Sequence, residues 1–244
     1  MKIIGIQKQS LLDYPGKISA ILFTPGCNFR CSFCHNLNIV LPDELEKAKL
    51  ISFYDLKPFF IKRRKFLDAI VITGGEPLLQ KGLEDAVKEL KQLGYLVKLD
   101  TNGTNPELLK KLIDQKLIDY VAMDIKTAID FDLYKNASGN CLNIFQFEAI
   151  KRAIAIITSS NIDHEFRTTV VPTIVSLKDV IEIVKYLNMH NAKKYFLQNY
   201  VPDKTYYEEM KRIKPYFSKD INALLKTIDD EGHNKMVIEL RGFY

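Results

Sequence analysis

The chain has 244 residues, of which 47% are hydrophobic and 27% are charged, and its formal net charge at pH 7 is +5. This composition is typical of a soluble globular protein, and no apolar run approaches the about 18 residues of a membrane helix. Because basic residues are not interleaved with aromatic ones, a nucleic-acid-binding protein is not expected either. We expect a single domain over residues 1–244. The first residues lack the long apolar segment of a secretory signal, so a cytoplasmic location is predicted.

From residue 18 onward, short apolar runs alternate with longer segments of helical periodicity. This alternation predicts βα units and a parallel sheet. The candidate strands span residues 18–24, 68–73, 96–100, 120–124, 165–171, 194–199 and 236–240. Candidate helices begin after Ser52 and after Pro106 and span residues 81–93, 145–158, 180–187, 206–212 and 221–228. Two of these starts carry capping pairs, Ser52 with Asp55 and Ser176 with Asp179.

Polar segments, three of which contain glycine, directly follow four of the candidate strands, at residues 24–27, 73–77, 100–103 and 124–126. The strand spacing fits either a doubly wound sheet or a TIM-type barrel. Loops that converge at the carboxyl ends of parallel strands favour the barrel, because its active sites lie there. Since no eighth strand-like run is recognisable, we predict an α/β fold, an incomplete and roughly six-stranded TIM-type barrel with parallel strands.

Three of the four cysteines, Cys27, Cys31 and Cys34, lie within eight residues with CxxxCxxC spacing. Three thiolates in one loop can bind three corners of an iron–sulfur cube and leave the fourth iron open. The alternatives are a structural zinc loop and a redox dithiol. Structural zinc normally has four ligands, and His35 is too close to Cys34 in sequence for an unstrained chelate. The isolated Cys141 is interpreted as a buried or indifferent thiol.

The other candidate residues lie in the loops after the strands. Gly74 and Gly75 allow a ligand to approach the backbone closely, although glycine and proline also occur in plain connections. The next residue, Glu76, could pair with a ligand ammonium group or cap the following helix.

Two strand-end carboxylates, Asp100 and Asp124, could hold a ribose diol or a cation, and Lys126 could neutralise a ligand carboxylate. Together with the preceding glycine turn, these groups suit a ligand in which an amino acid is joined to a nucleoside.

The stretch TPGCNFRCSFCHN resembles the cluster loop of the radical S-adenosylmethionine (SAM) enzymes, and in detail that of the activating enzymes for glycyl radical enzymes. The segments ITGGEPLL, LDTNG and MDIK follow in the order of that family, so the resemblance covers at least residues 10–126. It implies that Cys27, Cys31 and Cys34 hold a [4Fe–4S] cluster whose open iron chelates the amino and carboxylate groups of SAM. It also implies that Phe33 packs over the adenine and that His35 hydrogen-bonds near the cluster.

The resemblance further implies a cofactor role for residues of the strand-end loops. Gly74, Gly75 and Glu76 would bind the methionyl ammonium group, Lys126 would hold the methionyl carboxylate, and Arg167 would contact the cofactor. Arg167 could instead be an ordinary salt-bridge partner.

A second implied site lies in the ribose region. Asp100, Thr101 and Asp124, with the carbonyl of Ile125, resemble the residues that bind a monovalent cation in the formate-lyase activases. The resemblance thus adds a monovalent cation to the candidate cofactors.

The amino-terminal segment SLLDYPG resembles the DGPG-type turn of these activases, and Asp13 would contact the glycine loop of a protein substrate. Tyr14 replaces the usual glycine, which is more similar to the activating protein of anaerobic ribonucleoside-triphosphate reductase. The late strand departs from the formate-lyase activases, because FLQNY lacks their histidine. Gln198 and Asn199 could meet the cofactor or substrate there, or cap the loop.

The resemblance therefore implies a radical SAM oxidoreductase. A reduced cluster would cleave SAM, and the 5′-deoxyadenosyl radical would abstract a glycine Cα hydrogen from a partner enzyme, with flavodoxin or ferredoxin as the external electron donor. Alternative enzymatic interpretations are a radical SAM reaction on a small molecule and activation of pyruvate formate-lyase or a related enzyme. An electron-transfer or metal-binding module without catalysis is the alternative from a different class.

Overall fold

The computed structural model describes residues 1–205, 207–230, 232 and 235–243. The chain forms two compact units, residues 1–28 with 36–122 and residues 29–35 with 123–244. Of the clustered cysteines, Cys27 therefore belongs to the first unit, whereas Cys31 and Cys34 belong to the second.

In the first unit, the strands with continuous apolar sequence are the most deeply buried ones. The strand bounds are β1 Lys2–Ile3, β2 Gly5–Ser10, β3 Ser19–Thr24, β4 Ile51–Ser52, β5 Ala69–Gly74 and β6 Leu96–Thr101. β3 pairs in parallel with β5, and β5 pairs in parallel with β6, whereas β2 runs antiparallel to β3. Parallel strands are covered on both faces, which explains the continuous apolar runs of β3 and β5.

Helices follow the strands of the first unit and begin at recognisable caps. The helix bounds are α1 Pro42–Lys47, α2 Lys57–Arg63, α3 Leu83–Gln92 and α4 Pro106–Asp114, and the 3-10 turns are Leu37–Ile39, Phe53–Leu56 and Pro77–Leu79. The predicted pair Ser52 and Asp55 forms a reciprocal capping box at a short 3-10 turn, which leads directly into α2. The Asn105 side chain accepts a hydrogen bond from the Leu108 amide, and Pro106 occupies the first turn of α4, where its missing N–H is tolerated.

The first unit ends, and the second resumes, within β7, Tyr120–Asp124. The remaining bounds, all in the second unit, are α5 Phe131–Ala137, α6 Ile144–Ser159, β8 Asp163–Val170, α7 Leu177–Met189, β9 Lys194–Asn199, a 3-10 turn Pro202–Lys204, α8 Glu208–Lys211, α9 Ser218–Asp230 and β10 Val237–Arg241. There, β8 pairs in parallel with β9, and β9 pairs in parallel with β10.

The predicted α/β class with parallel strands is confirmed, and each predicted strand has a counterpart with similar bounds. The expectation that no further strand-like run exists was wrong, because Gly5–Ser10 forms β2. Its sequence GIQKQS is mainly polar and partly exposed, so it lacks the apolar signal of the parallel strands. Helices α1 and α5 were also not predicted.

The remaining predicted helices form with shifted ends, and Ser176 and Asp179 form the expected capping box. The predicted helix at 206–212 begins at Tyr206, which lies outside the described residues, and α8 covers part of its remainder. Within the ranges that the structure describes, no helix combines the length and apolar character of a membrane span. The single domain over residues 1–244 stays a prediction.

A buried histidine in the second unit makes stability depend on pH. His164 is 2% exposed, its Nδ1 lies 3.0 Å from the Ile162 carbonyl oxygen, and its Nε2 accepts from the Lys193 amide at 3.3 Å. Burial lowers its pKa from the ordinary 6.5, and the nearby Lys193 charge acts in the same direction, against the opposing effect of the Ile162 hydrogen bond. An accepting Nε2 requires the neutral ring with its proton on Nδ1.

We predict that His164→Asn reduces the loss of stability on acidification. Because the folded pKa is lower than the unfolded one, the unfolded chain takes up a proton first as pH falls through about 6.5. The contribution of neutral, buried His164 to the free energy of unfolding is therefore complete above that pH and declines below it. Urea unfolding between pH 8 and pH 5.5 should show a steeper decline for the wild type than for the variant, and parallel curves would contradict the prediction.

Candidate functional site

In the first unit, the glycine turn after β5 packs against the backbone that leads to Cys27. Gly74 has a φ of +118°, and a Cβ on Gly75 would overlap with the carbonyl group of Gly26. The amide of Glu76 donates to that same carbonyl at 2.8 Å. Both glycines are therefore required for the close approach of two strand-end segments. Their contact with a ligand stays a prediction.

The Glu76 carboxylate lies at the centre of this part of the first unit. It is 1% exposed and accepts hydrogen bonds from the Leu78 amide at 3.1 Å, the Thr101 hydroxyl at 2.7 Å and the Asn102 amide at 2.7 Å. The structure thus shows the capping role, and it links the end of β5 to the end of β6. Ammonium binding by Glu76 stays a prediction.

Asn102, which sequence reasoning missed, connects this network to the first cysteine. Its Nδ2 donates to Asn28 Oδ1 at 2.8 Å and lies 3.8 Å from Cys27 Sγ. Its Oδ1 accepts from both the amide and the hydroxyl of Thr104. Hydrogen bonds to a ligand sulfur stabilise its thiolate form. Its place in LDTNG, directly after a strand, was the available signal.

Asp100 pairs with a lysine of the same strand. The Lys98 side chain is 3% exposed and its Nζ lies 2.9 Å from Asp100 Oδ1. Thr101 donates its hydroxyl to Glu76 and accepts from the Gly103 amide at 3.0 Å. Both predicted cation ligands of the first unit are thus engaged with protein groups, and a cation role for them stays a prediction.

Asp13 lies in a turn that a buried tyrosine anchors. Its carboxylate accepts a hydrogen bond from the Ser10 hydroxyl. Tyr14 is 7% exposed, with its ring centroid 5.6 Å from that of Tyr120. The tyrosine that replaces the usual glycine therefore has a packing role, while the contact of Asp13 with a partner stays a prediction.

In the second unit, Asp124 lies between two cations. Arg167 Nε donates to its Oδ1 at 2.8 Å, and Lys126 Nζ donates to its Oδ2 at 3.0 Å. Burial alone would raise the pKa of this carboxyl group, but the two adjacent cations outweigh it and hold the pKa well below its usual range. Asp124 is thus a permanent anion here. The salt-bridge interpretation of Arg167 is realised, and its cofactor contact stays a prediction.

Lys126 lies near two of the clustered cysteines. Burial would lower its pKa, but Asp124 and the thiolates of Cys31 and Cys34 raise it above its ordinary value. Its backbone amide donates to the Tyr134 hydroxyl at 3.1 Å. The second unit therefore has a fixed ammonium group close to two predicted cluster ligands.

The Ile125 peptide is held by β8 on both sides. Its amide donates to the Arg167 carbonyl, and its carbonyl accepts from the Thr168 hydroxyl, each at 2.8 Å. A carbonyl oxygen has two lone pairs, so this bond is compatible with a cation ligand. The cation itself stays a prediction.

Residues after α5 support the cysteine loop, a contact that the sequence did not indicate. The amide of Arg30 donates to the Ser138 carbonyl at 2.9 Å. Gly139 has a φ of +73°, and a Cβ there would overlap with the Arg30 carbonyl group. Only glycine therefore permits this backbone contact.

The remaining cysteine-loop residues differ in exposure. Cys31 and Phe33 are each 6% exposed, and His35 is exposed. The isolated Cys141, interpreted as a buried or indifferent thiol, is exposed, so only the buried alternative was wrong. The roles of Phe33 at an adenine and His35 near a cluster stay predictions.

The donor chemistry fits an iron–sulfur cluster, because the cysteines are free thiols and one cation lies near two of them. Within the described part of the chain, no three histidine, cysteine, aspartate or glutamate side chains are arranged to hold a metal ion. The assignment of Cys27, Cys31 and Cys34 as ligands therefore depends on their sequence spacing.

Comparison with known proteins defines the family. The Radical SAM superfamily profile matches residues 21–187. A Methanocaldococcus jannaschii protein, provisionally named a glycyl-radical enzyme activating enzyme, is 36% identical over 99% of this chain and 98% of its own length. The pyruvate formate-lyase-activating enzyme of Clostridium pasteurianum is 31% identical over 82% of each chain. Streptococcus suis SuiB bound to S-adenosylmethionine matches with a TM-score of 0.68 and 15% identity, over 91% of this chain and 52% of that one.

The chain belongs to the radical SAM superfamily, within its glycyl-radical enzyme activating enzymes. The family uses a [4Fe–4S] cluster and SAM, so these two predicted cofactors are confirmed at the level of the family, whereas the monovalent cation stays a prediction. The likeness to SuiB shows the fold alone.

We predict that Gly139→Ala impairs cluster loading, because the added methyl group displaces the Arg30 carbonyl and with it the cysteine loop. Gly232→Ala is the matched control, since Gly232 has a similar φ of +69° but nothing within 4 Å of an added Cβ. Both variants incur the about 1–2 kcal/mol strain of a left-handed residue. Iron and sulfide per chain after anaerobic reconstitution should fall in Gly139→Ala only, and equal loading would disprove the supporting role.

Proposed function

We propose that this protein is a radical SAM activating enzyme that installs a glycyl radical on a partner enzyme, with anaerobic ribonucleoside-triphosphate reductase as the first candidate partner. The observation that carries the proposal is the 36% identity with a relative of that class over 99% of the chain. The candidate partner rests on Tyr14 in the amino-terminal turn. The similarity to a pyruvate formate-lyase-activating enzyme favours pyruvate formate-lyase as the second candidate.

In this proposal, Cys27, Cys31 and Cys34 hold the cluster. SAM is bound by Phe33, Gly74, Gly75, Glu76, Asp100, Asp124, Lys126 and Arg167, and Asp100, Thr101, Asp124 and the carbonyl of Ile125 are the candidate ligands of a monovalent cation. When bound, the cluster and SAM supply one-electron reduction of the sulfonium and an organic radical that abstracts hydrogen.

The side chains of the second unit supply orientation and charge. Lys126 would pair with the methionyl carboxylate, and its position is fixed because Asp124 holds the ammonium group and Tyr134 holds the backbone amide. Arg167 fixes Asp124 from the opposite side. This preorganisation means that SAM binding would require little rearrangement of these groups.

The electron must come from outside the chain. The fourth cysteine, Cys141, stands alone in the sequence, so the cysteine content offers no second cluster. We therefore propose flavodoxin or ferredoxin as the donor and Asp13 as a contact with the protein substrate.

We predict that Cys31→Ala abolishes cluster assembly and reductive SAM cleavage, because removal of one of three thiolates leaves too few ligands. Cys141→Ala is the control and should keep both properties, since it removes an exposed thiol outside the ligand set. Iron content and 5′-deoxyadenosine formed with dithionite measure the two effects. Retained cleavage by Cys31→Ala would refute the ligand assignment.

We predict a glycyl radical on the partner after anoxic incubation with SAM and reduced flavodoxin. Electron paramagnetic resonance should show a doublet with anaerobic ribonucleoside-triphosphate reductase and none when its radical-bearing glycine is replaced by alanine. A doublet that forms only with pyruvate formate-lyase would make that enzyme the partner and contradict the assignment of the reductase. Formation of 5′-deoxyadenosine only with a small molecule would overturn the activase proposal.

A further inference from the structure

A row of alternating charges crosses the second unit from its last strand to the lysine beside the cysteines. Arg241 on β10 bonds to Glu165 on β8, Arg167 on β8 bonds to Asp124, and Asp124 bonds to Lys126. In the register of the sheet, Phe196 on β9 lies opposite Arg167 on β8 and opposite Glu239 on β10. Residues two apart on a strand point to the same face of the sheet. Glu165, two residues before Arg167, and Arg241, two residues after Glu239, therefore lie on the same face as Arg167.

The contact between Arg241 and Glu165 has the geometry of a strong ion pair. The two terminal guanidinium nitrogens of Arg241 donate to different carboxylate oxygens of Glu165, each at 3.2 Å. The guanidinium carbon lies 3.5 Å from the centroid of the Phe196 ring. Glu165 is 1% exposed, and a buried carboxylate requires a counter-charge.

Arg167 lies between two carboxylates. It is 2.8 Å from Asp124 and 3.9 Å from Glu165, so only the first of these contacts is a hydrogen bond. Because Arg241 neutralises Glu165 through a two-pronged contact, Arg167 is directed toward Asp124. Without Arg241, the buried Glu165 carboxylate would attract Arg167, and Asp124 would lose one of its two cations.

We propose that Arg241 is a positioning residue: by neutralising Glu165, it keeps Arg167 on Asp124 and thereby fixes the Lys126 ammonium group for the carboxylate of SAM. The inference deepens the proposed function and rests on it, because it assumes that Arg167 and Lys126 serve SAM binding. The strand β10 thus acts on Arg167 through Glu165.

The test uses Arg241→Met, which removes the charge but keeps an apolar chain over Phe196. Isothermal titration of the reconstituted protein should show about tenfold weaker SAM binding, within the usual range of coupling between sites. The double variant Arg241→Met/Glu165→Gln should recover most of this loss, because the neutral amide that replaces the Glu165 carboxylate no longer attracts Arg167.

Arg63→Met is the matched control, since Arg63 also stacks on a phenylalanine, Phe66, and its replacement should leave the affinity unchanged. Addition of SAM changes the electron paramagnetic resonance spectrum of the reduced cluster. The SAM concentration needed for this change should rise in Arg241→Met, return most of the way to the wild-type value in the double variant, and stay unchanged in Arg63→Met. A merely structural role would lower the melting temperature of Arg241→Met without changing its SAM affinity.

A crystal structure of Arg241→Met without SAM provides a readout that does not depend on the proposed function. Arg167 should then bond to Glu165. The inference is overturned if Arg167 remains on Asp124, if the affinity does not change, or if the double variant binds as weakly as the single one. Absence of SAM binding by the wild type would instead contradict the proposed function, while the crystal structure would still decide whether Arg241 keeps Arg167 on Asp124.

Discussion

The arrangement of the charged groups beside Cys31 and Cys34 depends on the ion pairs of Asp124 with Arg167 and Lys126. A partly buried carboxylate between two cations keeps one position while both partners remain in place. Two elements keep these partners in place. β8 supplies Arg167, and α5 supplies Tyr134, whose hydroxyl accepts a hydrogen bond from the backbone amide of Lys126. The ammonium group beside Cys31 and Cys34 therefore has a fixed position, as charge recognition requires.

The loops of both units are fixed by contacts to backbone groups. Glu76 bonds two backbone amides from separate loops, and Gly75 lets the turn after β5 reach the carbonyl of Gly26. In the second unit, Ser138 and Gly139 hold the cysteine loop in the same manner. Backbone contacts of this kind tolerate changes in neighbouring side chains but not a Cβ at the glycines. A radical reaction benefits from such rigid loops, because water and wrong substrates must stay out.

The buried parallel strands could be predicted because both of their faces are covered, which leaves continuous apolar runs in the sequence. β2 could not, since its mainly polar residues carry no such signal. The capping pair of Ser176 and Asp179 was readable because it is local. Asn102 and Cys27 are 75 positions apart, and Arg241 and Glu165 are 76 apart, so no local pattern indicates either contact.

By itself, the sequence determined the chemistry of this protein, because the spacing of three cysteines and the order of the strand-end segments specify the radical SAM family. It also determined the α/β class through the alternation of apolar runs and helical periods. Only the tertiary structure decided which groups are partners: that Glu76 is a cap, that Arg167 pairs with Asp124, and that Arg241 neutralises Glu165. The physical reason is that a buried charge must be balanced by whichever opposite charge the fold brings near, and sequence distance does not limit that choice.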